Sequence, residues 1–266
     1  MIGQMNASGA MSLDRVCTCR FCDHDFARDC VECTCCTRDT HSMVLDGMTE
    51  QDKLVRISIG QLTLEGDLYL GNKRAIVLFA HGSGSSRRSP RNKYVADILQ
   101  KAGLGTLLFD LLTMDEERID EQTAHLRFDI GLLADRLTAT TDWLAGQQHI
   151  IGTDIKIGYF GASTGAAAAL VAASKKQDVV RAIVSRGGRP DLAGKYLDQV
   201  RAPTLLIVGG NDHRVIGMNQ EAFERLKIKD KRLDIVPGAT HLFEEPGKLE
   251  EVARLAREWF ERYLLT

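Results

Sequence analysis

The sequence predicts an α/β fold built on a mostly parallel, doubly wound sheet, and three observations carry that expectation. From residue 52 onward short apolar runs alternate with amphipathic segments of helical length, the pattern of strands joined by crossover helices. Those runs are continuously apolar rather than alternating, as strands covered on both faces are. The exception comes first: 53–59 and 62–70 alternate polar and apolar residues around Gly60-Gln61, which reads as an antiparallel hairpin at a sheet edge.

Taken in order, the buried strands are expected at 75–80, 106–109, 155–160, 180–184, 204–208 and 233–236. Helices are expected at 91–101, 127–145, 164–174, 191–200, 217–226 and 249–264. No repeat and no long insertion follows Val184, so little or no lid should cover the carboxyl ends of the strands. The 266 residues, 26% charged and 44% hydrophobic, suit one globular domain with a short appendage.

The net charge of −2 comes from 34 basic and 36 acidic residues spread along the chain, which gives no general field for nucleic acid or an anionic membrane. No apolar run reaches the roughly 20 residues of a spanning helix, and no secretory signal opens the chain. A cytoplasmic protein without membrane or nucleic-acid partners is the expectation. Oligomeric state is left open.

Chemistry concentrates at Gly161-Ala162-Ser163-Thr164-Gly165, between an apolar strand and an alanine-rich helix. A G-x-S-x-G in that context is a nucleophile elbow, in which a sharp turn presents the serine and the glycines admit the close chain approach. The alternative is a helix cap at Ser163. No Gly-Lys-Ser, Gly-Lys-Thr or Gly-x-Gly-x-x-Gly is present, which argues against a nucleotide fold.

A serine hydroxyl needs an imidazole to take its proton, and the imidazole needs a carboxylate to fix its tautomer. Asp212 follows the 204–208 strand and His241 follows the 233–236 strand. The chain order is thus Ser163, Asp212, His241. Asp212 as a helix cap and His241 as a plain loop residue are the alternatives, and Asp110 is the reserve acid. His81 and His213 are set aside as bases, the first as a buttress of the oxyanion loop and the second as a neighbour of the acid.

The oxyanion would be met by the backbone N–H groups of Thr164 and Ser83, with Gly82 the alternative to Ser83. Arg87, Arg88 and Arg91 follow that loop, and Arg186 and Arg189 follow the 180–184 strand. They could grip a substrate carboxylate, or simply cap helices and pair with acids such as Asp191.

On His81-Gly82-Ser83-Gly84, the Ser163 elbow, Gly209-Gly210-Asn211-Asp212 and Gly238-Ala239-Thr240-His241, the chain from about residue 53 resembles the α/β-hydrolases of the dienelactone-hydrolase-like group. The resemblance implies an α/β-hydrolase fold and a cofactor-free serine hydrolase cleaving small esters or lactones through an acyl-enzyme. Authentic dienelactone hydrolases carry cysteine in the elbow, so Ser163 puts dienelactone itself in doubt as substrate. An acyltransferase or serine peptidase could use the same residues. A non-catalytic interaction protein on the same scaffold is the reading from another class.

All seven cysteines lie between Cys17 and Cys36. Residues 1–47 therefore read as a separate extension, with 48–266 as the hydrolase domain. Cys22, His24, Cys30 and Cys33 form one possible zinc ligand set. A disordered or untranslated extension upstream of Met48 is the alternative.

Overall fold

The computed structural model describes residues 53–71, 74–148 and 154–266, which belong to a unit running from Thr49 to Thr266. The cysteine-rich stretch and its candidate zinc ligands lie outside the described residues. Eight strands form one sheet: β1 (Lys53–Ile59), β2 (Leu62–Tyr69), β3 (Ala75–Ala80), β4 (Gly105–Phe109), β5 (Lys156–Ala162), β6 (Val180–Arg186), β7 (Thr204–Gly209) and β8 (Lys231–Val236). Their spatial order is β1-β2-β4-β3-β5-β6-β7-β8. The first two strands are antiparallel, β2 joins β4 antiparallel, and every later pairing is parallel.

The hairpin closes where the sequence places it. Ile59 pairs with Leu62, and Gly60 takes the left-handed φ of +59° that a tight turn asks for. Strands β3, β4 and β7 are buried throughout, because helices cover both faces of the sheet.

Alternation along each strand divides the core in two. Ile76, Leu78, Tyr159 and Leu206 face one apolar cluster with Leu137 and Leu170, whereas Val77, Phe79, Phe160 and Ile207 face another with Leu99 and Phe260. Helices α1 (Pro90–Lys101) and α6 (Lys248–Leu264) supply the second cluster, and α3 (Ile130–Ala145) and α4 (Thr164–Lys175) the first. Helices α2 (Met114–Thr123) and α5 (His213–Arg225) are the other α-helices among the described residues.

Three departures from the sequence reading have local causes. Helix α2 was not expected, because it is polar almost throughout and buries only Asp120. Its one sequence signal is the capping box, in which Thr113 accepts from the Glu116 N–H and Glu116 accepts from the Thr113 N–H. Helix α3 starts at Ile130, not 127, since Arg127 turns back to Asp120 and Asp129 caps the helix by accepting from Leu132. The helix expected at 191–200 is a 3₁₀ stretch, Pro190–Gln199, broken where Gly194 takes φ 52°.

Candidate active site

The carboxyl ends of β3, β5, β6, β7 and β8 bring the predicted residues to one edge of the sheet. Ser163 lies between β5 and α4 with φ 51° and ψ −119°, a conformation that costs a non-glycine residue about 1–3 kcal/mol. Its side chain caps nothing, so the helix-cap alternative is not how the hydroxyl is used. Strain of this kind persists only where the surroundings dictate it.

Two glycines make room for the turn. A methyl group on Gly165 would stand 2.2 Å from the Ala80 carbonyl oxygen, and one on Gly161 would stand 2.4 Å from Ala166 Cα. Both obstacles are backbone. The alanines 166–169 are fully buried, which lets α4 lie close against the sheet.

The end of β6 and the segment after it hold the strained residue from both sides. The Ser163 N–H donates to the Arg186 carbonyl at 3.2 Å, while the Ser163 carbonyl accepts from Arg189 and Ala166, each at 3.1 Å. Gly187, with φ +52°, carries the chain past the His241 ring, whose Nδ1 would lie 3.5 Å from an added methyl. Ser163 and the His241 loop thus share one neighbour.

Asp212 occupies the N-cap position of α5 but makes no side-chain cap bond. Its Oδ2 instead lies 2.6 Å from His241 Nδ1. Two backbone bonds join the parent loops: Asn211 N–H donates to the Ala239 carbonyl at 2.9 Å, and Gly210 N–H to the Val236 carbonyl at 2.8 Å. Gly209 permits this, because a side chain there would meet the Ala239 and Thr240 carbonyls at 2.5 Å. With a proton on Nδ1 facing the carboxylate, the imidazole keeps Nε2 as its basic atom.

His81 is occupied elsewhere. Its Nε2 accepts the Leu111 N–H at 3.1 Å, so Nδ1 bears the proton and donates to the Gly82 carbonyl at 3.0 Å. Burial lowers its pKa and keeps it neutral. The Gly82 carbonyl also accepts from the Ser85 N–H at 3.2 Å. In a trans peptide the next N–H points opposite the carbonyl, so the two bonds fix the direction of the Ser83 N–H.

The reserve acid, Asp110, accepts from both the backbone and the guanidinium of Arg87. Arg87 also pairs with Glu65 at 2.8 Å. His213 is exposed at the start of α5. Arg189 grips Asp191 with two bonds of 2.9 and 2.8 Å, and Arg91 pairs with Glu244 at 2.8 Å. Of the arginines weighed as carboxylate ligands, these three are engaged by protein acids.

A small cavity of about 10 Å³ touches Ser83 and Thr164, while one of about 710 Å³ lies alongside, walled by Arg56, Glu65, Arg88, Met114 and Glu117. Glu117 borders both, and its pKa is raised, first by burial and then by the charge of Asp120. Sequence reasoning did not single it out, because α2 itself went unread.

The dienelactone hydrolase family model matches residues 69–264. The chain belongs to the dienelactone hydrolase family. A solved dienelactone hydrolase from Anabaena variabilis is 60% identical, with a TM-score of 0.78 over 80% of this chain and 98% of that one. A lidless α/β serine hydrolase from Xanthomonas campestris shares the fold at 20% identity and a TM-score of 0.64, over 82% of this chain and 97% of that one. The expected α/β-hydrolase fold, with its open parallel sheet and leading hairpin, is what these comparisons and the topology show.

Two curated relatives from Mycobacterium tuberculosis strains, each named "Putative phosphoribosyl transferase", are 56% identical over 211 residues, 79% of this chain. The chain spans 46% of their length. The matched family and the Anabaena variabilis neighbour are both named as dienelactone hydrolases. Among the described residues no helix is long and apolar enough to cross a membrane, and no cluster of three or more His, Cys, Asp or Glu side chains could hold a metal ion.

Proposed function

We propose that the domain cleaves small carboxylic esters or lactones through an acyl-enzyme on Ser163. The observation that carries this reading is the 2.6 Å bond between Asp212 and His241, on loops that converge at the same sheet edge as the strained serine. His241 Nε2 takes the proton of Ser163 Oγ as Oγ attacks the carbonyl carbon. The carbonyl oxygen gains charge, which the Ser83 and Thr164 N–H groups stabilise. Collapse of that intermediate returns the proton to the departing alkoxide, and water repeats the sequence to release the acid and restore Ser163.

A fluorophosphonate probe tests the mechanism. Native protein should be labelled on Ser163 and Ser163→Ala should not. Unchanged labelling in the variant would remove the assignment. Esters of graded chain length then define the acyl range, and an added alcohol or amine acceptor separates hydrolysis from acyl transfer.

The phosphoribosyl transferase name of the longer relatives is assigned to no residue here, because more than half of each lies outside the match. A protein beginning at Met48 is expected to keep fold and esterase activity, since every described strand and every candidate catalytic residue lies downstream. Loss of either would move the domain boundary.

A further inference from the structure

Arg186 ends β6 with only 7% of its surface exposed. It lies two residues beyond Val184, whose side chain belongs to the cluster formed with α1 and α6, and its own side chain reaches the first turn of α1. There Nη2 meets Asn92 Oδ1 at 3.5 Å. Its Nε and Nη1 are buried and have no hydrogen-bond partner among the described residues.

The surroundings add positive charge rather than cancel it. Arg91 lies close enough for its charge to act on Arg186, and its own Nε is buried without a partner among the described residues. Glu244 takes Arg91 Nη1 at 2.8 Å, from a side chain 61% exposed. No acidic residue occupies the first turn of α1, where the helix dipole is itself positive. Burial, aided by Arg91, pushes the Arg186 pKa down to about 10, which still leaves it charged at neutral pH. Glu244 meets only one donor of Arg91 and Ser89 caps α1 through the Asn92 N–H, so the donors left open are those of the two guanidinium groups, and Arg186 faces no acid among the described residues.

We propose that the guanidinium groups of Arg186 and Arg91, beside the start of α1, form a binding site for a small oxyanion, a phosphate or carboxylate group. The guanidinium forks offer paired N–H donors to two oxygens at once. The site does not depend on the esterase reading. It adjoins the candidate active site, since the Arg186 carbonyl holds the Ser163 N–H, so the anion is either part of a substrate or a separate ligand.

Thermal unfolding of the full chain in inorganic phosphate, against chloride at equal ionic strength, tests the site without any turnover. The melting temperature should climb with the logarithm of phosphate concentration, and Arg186→Met should abolish the climb. Arg91→Gln, at a more exposed position, should weaken it and serves if the first variant fails to fold. No phosphate-specific climb in the native protein, or the same climb in both variants, would overturn the proposal. Where the climb is present, the source follows from matched neutral and anionic esters. Phosphate competing only with the anionic ester assigns the oxyanion to substrate, and phosphate binding undisturbed by either assigns it to a separate ligand.

Discussion

Two loops at the carboxyl edge of the sheet make an instructive pair, the turn after β5 and the segment after β6. The first is governed by backbone sterics: Gly161, Ser163 and Gly165 are each required by space or by a positive φ, and such requirements are written in local sequence. The second is governed by partners. Arg186 and Arg189 look alike in sequence, yet one is buried with spare donors and the other is closed on Asp191. Residue type reveals a steric need, whereas the free donors of Arg186 follow from its burial against α1, an element distant in the chain.

The sharpest test of the first loop is chemical. Ser163→Ala or His241→Ala should lower ester kcat/KM on the order of a million-fold with the circular dichroism spectrum unchanged. Asp212→Asn should cost about ten-thousand-fold, because the imidazole then holds the wrong tautomer. Near-native turnover in Ser163→Ala would remove the distinction between an elbow and an ordinary turn.

Gly165→Ala addresses the steric half. The new methyl meets the Ala80 carbonyl oxygen at 2.2 Å and the His81 carbonyl oxygen at 2.4 Å, neither of which can swing aside. Urea unfolding should show a loss of roughly 3 kcal/mol or more. A change below experimental error would mean that the turn can relax.

A comparable loss is expected where a buried partner is decisive. Asp120, with a side chain only 2% exposed, pairs with Arg127 and accepts the Leu126 N–H at 2.7 Å. Asp120→Ala should cost about 3 kcal/mol, the penalty of breaking a buried pair. Hydrogen bonds from Arg127 and Leu126 outweigh burial and lower the folded pKa of Asp120. Its contribution is therefore complete above the unfolded value of about 3.9 and is lost as pH falls through the lower folded value. Stability measured from pH 5 downward should decline more steeply in the native protein than in Asp120→Asn.

Arg189→Ala should change stability by about 1 kcal/mol or less, as a half-exposed pair does, because the backbone N–H that holds Ser163 is retained. A loss several times larger would mean that the side chain, and not only the backbone, fixes the segment after β6.

The same division explains what the sequence made legible. The central strands and the Gly161 to Gly165 turn were readable because buried parallel strands and crowded turns leave few residue types acceptable. Asp212 and His241 could be named from their places after β7 and β8, whereas their meeting depends on backbone bonds between residues 210–211 and 236–239 that no local pattern encodes. Helix α2 was missed because it buries almost nothing and so has no apolar stripe. The sorting of the arginines needed Glu65, Asp110 and Glu244, residues 22, 23 and 153 positions from their partners.

The left-handed turn at Ser163 also bears on the order in which the molecule comes apart. Its conformation is held by the Arg186 carbonyl and the Arg189 N–H, so it cannot outlast the docking of the segment after β6. The helices carrying Trp143 and Trp259 are anchored instead by the broad apolar clusters on the two sheet faces. Small local openings need less free energy than global unfolding. In rising urea, fluorophosphonate labelling of Ser163 should therefore fade before the tryptophan emission shifts.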